Sequence, residues 1–206
     1  MTAPSAEKLH QACDTLAEQD PVLATAYRAI GLPNWRGTTA NFESLARIVV
    51  YQLISTKAAD AIWARVHARF AQITAKAVLD DEAEQLRACG LSRPKLQHLL
   101  AIAAAVEAGD LDFNRLSQSP IDGARKTLLA VRGIGPWTAE TFLMNAIGHL
   151  DAFPHGDVGL IEAFRRLSGA ENRLSAKDFS AHAEQWRPFR AVAAHLLYDW
   201  YNANRP

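Results

Sequence analysis

The stretch LLAVRGIGPWTAETFLMNAIG, residues 128–148, decides how the chain is read. An apolar helical run ends near Val131, a turn follows with two glycines, Gly133 and Gly135, and Pro136 opens a second helix. Glycine permits backbone angles or close approaches that side chains resist. Proline at a first helical position gives up an N–H that has no partner there in any case. A helix entered through small residues leaves backbone N–H groups free to grip an anion, and a phosphate fits that description. Arg132, in the turn itself, would add a charge-assisted contact. GIGPWTA also satisfies the G-x-G-x-x-G/A pattern of dinucleotide-binding folds, but that fingerprint needs a strand before it inside a parallel sheet, and the chain has no set of partner strands. A helical hairpin that only packs is the remaining alternative for this segment taken alone.

Outward from the hairpin, alanine and leucine are plentiful, β-branched runs are short, and apolar residues recur at three-to-four spacing, which predicts an almost wholly helical protein. Leu45, Ile48 and Val49 form one stripe, and Ile62, Val66 and Phe70 a second. Gln52-Leu53-Ile54-Ser55-Thr56 interrupts the pattern between them, so Leu53 falls at a helix junction, with Ser55 or Thr56 as N-cap of the second helix. Further helices are expected over about 82–88, from Arg93-Pro94 to Gly109, over RKTLLAV, from Pro136 to about Gly148, from Asp157 to about Leu167, and as one long element from Phe179 to Asn202. That makes nine or ten helices. Gly90 can supply the left-handed cap that ends the first of these.

Three blocks then combine: FESLARIVVYQLISTKAA (42–59), VRGIGPWTAETF with FPHGDVGLIEAF (131–164), and EQWRPFRAVAAHLLYDWY (184–201). Together they resemble the helix–hairpin–helix (HhH-GPD) superfamily of DNA glycosylases, and in particular its 3-methyladenine DNA glycosylase II (AlkA-like) branch. The resemblance implies an all-α, two-lobed fold with an active-site cleft between the lobes. It implies a single core over 1–206 without an additional N-terminal β domain, with the hairpin at about 125–148. The implied activity is hydrolytic release of alkylated purines such as 3-methyladenine from double-stranded DNA. A non-catalytic binder of damaged DNA that kept the hairpin is the other reading.

In that family the aspartate after the hairpin is the catalytic carboxylate, and the matching residue is Asp157 in PHGDVGL. Breaking an N-glycosidic bond develops oxocarbenium-like charge on the sugar, which a fixed carboxylate stabilises. An aspartate opening a helix is equally explained as a cap. Bifunctional relatives carry a lysine nucleophile where this chain has Trp137, so the resemblance implies a monofunctional enzyme that uses water. Trp137 and Tyr198 would wall the base pocket, since an aromatic face attracts a cationic alkylated purine. Thr141 and Val158 stand where a relative has two further pocket aromatics. Leu53 matches the wedge that fills the hole left by a flipped base, with Gln52 beside it; a leucine in a helical protein is otherwise core. Arg132, Gly133, Ile134, Gly135 and Thr138 would hold the DNA backbone. The carbonyls of Leu129, Val131 and Ile134 would bind Na+ or K+. Lys57, Arg93 and Lys95 are phosphate contacts by charge alone, or ordinary solvated surface. His155 would assist water or a phosphate, or serve only the loop, while Arg187 and Arg190 would brace the active-site loop. Trp186, Phe189 and Trp200 read as core of the last helix.

The remaining features bound the answer. Among 206 residues, 22 Lys and Arg balance 22 Asp and Glu, which argues against a histone-like coat but leaves room for a local basic surface on the DNA-facing side. Two cysteines, Cys13 and Cys89, are too few for a four-thiolate iron–sulfur cluster and fit reduced thiols in a cytoplasmic protein. No other cofactor is called for. The opening MTAPSAEKLHQACD has neither the basic start nor the apolar centre of a secretory signal, and no run approaches a membrane span. A monomer without membrane partners is expected.

Overall fold

The computed structural model describes residues 3–204, and the expectations that touch the two residues at either end lie outside them. Among the described residues there are thirteen α-helices and no strand. The chain divides into two compact units: residues 38–147 form one, and residues 1–37 with 148–206 form the other. Both are helical throughout.

The 38–147 unit holds α3 (Phe42–Tyr51), α4 (Thr56–Arg69), α5 (Ala75–Asp80), α6 (Ala83–Ala88), α7 (Arg93–Glu107), α8 (Phe113–Gln118), α9 (Ile121–Ala130) and α10 (Pro136–Phe142). Side-chain caps start most of these where the sequence supplies them: Asn41, Ser55, Thr74, Ser92 and Asp112 each accept from a backbone N–H two or three residues on. Leu45 and Val49 of α3, Leu99 and Ile102 of α7, Leu128 of α9 and Phe142 of α10 are fully buried and form its core. Helices α3, α7, α9 and α10 therefore present the hairpin as part of a packed body, with α10 lying on both α3 and α9.

The second unit holds α1 (Ala6–Gln19), α2 (Pro21–Ile30), α11 (Val158–Ser168), α12 (Ala176–Ala183) and α13 (Arg190–Ala203). Its centre is an aromatic cluster of Phe153, Phe164, Phe179, His182 and Trp186, with neighbouring ring centroids 4.7–5.8 Å apart. Asp20 is buried at its edge: Oδ1 caps α2 through Val22 N–H, and Oδ2 accepts from Trp186 Nε1 at 2.8 Å and meets His182 Nε2 at 2.8 Å.

Three expectations about elements are corrected. The stretch 179–202 is not one helix: α12 passes into a 3-10 turn over Glu184–Trp186, the chain extends at Arg187, and α13 begins only at Arg190. Pro188 has no N–H to continue the ladder, and it drives the preceding residue out of helical angles. The helix from Pro136 ends at Phe142, and a π turn over Leu143–Ile147 carries the chain to Gly148. Thirteen helices replace nine or ten because six-residue pieces such as α5 and α8 are shorter than two turns and show no periodicity.

Candidate functional site

In the 38–147 unit, Leu53 terminates the turn after α3 with its side chain wholly in solvent, at 103% relative exposure. Its φ is +56°, and it is the one non-glycine residue with positive φ among the described residues. A bulky residue in the left-handed region costs about 1–2 kcal/mol. Here the cost goes with no burial, so the core reading of Leu53 fails. Gln52 is turned inward instead: its Nε2 donates to Thr138 Oγ1 at 2.7 Å and reaches the Gly133 carbonyl at 3.5 Å. The amide that the sequence placed beside the wedge as a DNA contact thus ties the Leu53 turn to the hairpin.

The hairpin's two glycines separate. At Gly133 φ is +95°, and a Cβ would lie 2.6 Å from His98 Cγ and 2.9 Å from His98 Cα. Gly135 is extended, at φ −88°, ψ 175°, with nothing within 4 Å of where a Cβ would stand. Only the first is demanded by packing. Ile134 is buried, so its side chain serves the core and only its backbone is available outward. Thr138 is buried too, and its hydroxyl accepts from Gln52. Arg132, Gly135 and Pro136 are exposed along the turn. Val131 N–H donates to the Leu128 carbonyl, and the Val131 carbonyl accepts from Ile134 N–H at 3.1 Å. On α10, Trp137 is half-buried, and Thr141, four residues on and so on the same face, is buried with its Oγ1 unpartnered.

Of the basic candidates, Lys95 is corrected: its Nζ donates to the Val50 carbonyl at 2.7 Å, at the end of α3, and burial lowers its pKa. Lys57, Arg93, Lys126 and Arg132 are exposed and carry no ion pair among the described residues. Arg69, Lys76, Arg87 and Arg125 are paired with acids.

The second unit carries Asp157. It is the N-cap of α11, its Oδ1 accepting from Leu160 N–H at 3.0 Å. Val158, the next residue, is exposed, and Tyr198 from α13 is half-buried, with its hydroxyl hydrogen-bonded to the Asp157 carboxylate. Thus Asp157, Val158 and Tyr198 are brought together, whereas Trp137 and Thr141 belong to the other unit. The Arg36 guanidinium lies 5.5 Å from the Tyr198 ring centroid and pairs with Asp199. His155 is half-buried in the loop before Asp157.

That loop is held from α13's start. Arg190 donates to both Asp151 carboxylate oxygens at 2.8 and 2.9 Å, Arg187 donates to Oδ2 at 2.6 Å, and Ala191 N–H donates to the Leu150 carbonyl at 2.9 Å. Glu184 accepts from Arg187 Nε and Arg190 Nη1, and these two guanidinium groups hold it below the usual carboxylate range. The expected bracing by Arg187 and Arg190 therefore has a named anchor. Trp186 is core, as read, while Phe189 and Trp200 are only half-buried. Sequence reasoning missed Asp151, Gly159, Arg36 and His98. No local pattern marks them, because each partner lies some 35 or more residues away, Gly159 excepted.

The hairpin, the exposed Leu53 beside it and the capped Asp157 after it in the chain go with a known family. The chain belongs to the HhH-GPD superfamily of base excision DNA repair proteins, whose sequence model matches residues 46–188. It is 31% identical over 169 residues to a probable bifunctional transcriptional activator/DNA repair enzyme AlkA of Mycobacterium tuberculosis, covering 78% of this chain and 34% of that protein. It is 30% identical over 166 residues to DNA-3-methyladenine glycosylase 1 of Schizosaccharomyces pombe, covering 76% of this chain and 71% of that one. A solved structure of the Schizosaccharomyces pombe 3-methyladenine DNA glycosylase in complex with abasic DNA is similar at a TM-score of 0.84 and 27% identity, over 92% of this chain and 95% of that one. The chain spans about a third of the length of the Mycobacterium relative. Among the described residues no helix is long and apolar enough to cross a membrane, and no group of three metal-ligating side chains occurs.

Proposed function

We propose that the protein is a DNA glycosylase of base-excision repair that releases alkylated purines such as 3-methyladenine from double-stranded DNA by hydrolysis. The observation that carries this reading is Asp157, a carboxylate fixed by two donors at the head of α11 in a chain whose relatives are named for that reaction. As the bond from sugar to base lengthens, positive charge develops on the deoxyribose, and a carboxylate already held in place stabilises it without reorganising. The same group orients the attacking water. An alkylated purine bears a ring charge of its own and leaves as a neutral base, so the step needs no proton donor.

Leu53 supports the flipping half of the reaction. An apolar side chain held out of the protein on a strained turn is suited to fill the space that a departing base leaves. The hairpin backbone, with Arg132 and the exposed Lys57, Arg93 and Lys126, would take phosphates. Leu129, Val131 and Ile134 would hold a monovalent cation by their carbonyls: Val131 already accepts from Ile134 N–H and keeps a second lone pair for an ion, so the residues fit. Such an ion would add a positive charge facing the phosphate. Trp137 offers no amine for a Schiff base, so an abasic site, not a cleaved strand, is the product. The enzyme would act as a monomer.

Release of 3-methyladenine from methylated duplex DNA is the test, with Asp157→Asn expected to fall by at least ~100-fold. Undiminished release by that variant would remove Asp157 from the mechanism. Salt-sensitive duplex binding with no release from any lesion would make the protein a non-catalytic binder instead.

A further inference from the structure

The surroundings of Asp157 carry one step more. Leu160 N–H occupies Oδ1 at 3.0 Å, and the Tyr198 hydroxyl, brought from α13, is the carboxylate's second donor. Gly159 makes their meeting possible: a Cβ there would stand 3.0 Å from Asp157 Oδ1 and 3.9 Å from Tyr198 Cε1. The ring is backed by Arg36, which is ion-paired with Asp199 and so cannot swing freely. One turn earlier on α13, His195 is fully buried against Trp35, ring centroids 4.3 Å apart.

We propose that Tyr198 is a positioning residue for the reaction: its hydroxyl holds the Asp157 carboxylate in one orientation, and is not a proton donor to the departing base. The proposal rests on the glycosylase reading above for the reaction it serves. A phenol has one proton to give. Directed at Asp157, that proton is unavailable to a purine nitrogen. Burial first, and then the Asp157 charge, push the phenol well above its ordinary range, so it stays protonated at neutral pH. Arg36 lies over the Tyr198 ring and is paired with Asp199, and His155 stands in the loop of Asp157. On α11, Glu162 is taken up by Arg165, Arg166 and Arg173. Helix α2, which packs on both α11 and α13, has Arg28 bonded to its own Thr25 and Tyr27 bonded to His10.

The experiment compares the intact protein with Tyr198→Phe, which keeps the ring and removes the donor. At neutral pH the carbon-13 resonance of the Asp157 carboxyl should move away from its wild-type position, because the charge-assisted bond it reports is gone. The plateau of single-turnover 3-methyladenine release should fall about tenfold, and duplex affinity should not change. Gly159→Ala, which crowds the carboxylate without touching the phenol, should lower the same plateau. An unchanged Asp157 resonance and an unchanged plateau in Tyr198→Phe overturn the proposal, as does a loss confined to uncharged lesions, which would mark Tyr198 as the proton donor. The two readings fail separately. If the wild type releases no alkylated base yet the Asp157 resonance moves in Tyr198→Phe, the glycosylase reading falls and the hydrogen bond stands. If Asp157→Asn is inactive and Tyr198→Phe matches wild type in both measurements, only the role of Tyr198 falls.

Discussion

Leu53 and Gly133 both adopt positive φ, for opposite reasons. Gly133 is pressed against His98, so Gly133→Ala meets a clash and a strained backbone together and should lose about 2–4 kcal/mol in denaturant unfolding. Gly135→Ala meets neither and should unfold within ~0.5 kcal/mol of wild type. Any fall in duplex affinity it causes then reports contact with DNA and not misfolding. Leu53 is strained with nothing around it, and Leu53→Gly should raise stability by about 1 kcal/mol by relieving the left-handed strain, less the entropy that glycine adds to the unfolded chain. The same variant should lower base release at least tenfold, measured in single turnover on methylated duplex. A residue whose removal stabilises the fold and damages the reaction is one kept for the reaction.

At the scale of elements, the loop from Gly148 to Asp157 is set by the start of α13 through Asp151, Arg187 and Arg190. Arg190 and Asp151 are both largely buried, and removing one member of a buried pair leaves the other uncompensated, typically at about 3–5 kcal/mol. Asp151→Asn should therefore lower the unfolding midpoint by a margin that an exposed pair, such as Lys76 with Asp80, would not. It should also reduce turnover, because this loop delivers Asp157. The WRPFR block was legible in the sequence as a brace but its anchor was not, since the acid lies 36 residues before Arg187 and has no periodic relation to it. Helix starts were legible at Ser55 and Asp157, whereas Asp112 caps a helix, α8, too short to show a period. The break at Pro188 was open to a local argument, and the strong apolar periodicity on both sides concealed it.

For the whole molecule, a buried histidine makes stability pH-dependent above the carboxylate range. His195 is buried without a hydrogen-bond partner on either nitrogen among the described residues, and burial, assisted by the Arg36 charge, pushes its pKa from 6.5 down to about 3. Its folded value lies below its unfolded one, so the unfolded chain binds the extra proton. Stability from this residue is complete above pH 6.5 and is lost as pH falls toward 3, at up to about 1.4 kcal/mol per pH unit. Glu162 and Glu184 are held below their ordinary range by arginines, and their contributions are lost only below about pH 4.5. Unfolding midpoints between pH 6.5 and 5 should therefore fall for the wild type and flatten in His195→Phe. By itself the sequence determined the helical class, the hairpin, the aspartate that follows it and the family, because caps, three-to-four apolar spacing and glycine turns act within a few residues and leave their mark in chain order. Tertiary structure alone decided that Leu53 stands in solvent while Gln52 turns inward, that Gly133 and not Gly135 is sterically required, and that Tyr198 grips Asp157 across the space Gly159 leaves. These depend on packing between helices far apart in the chain, where distance and burial, not residue type, choose each side chain's partner.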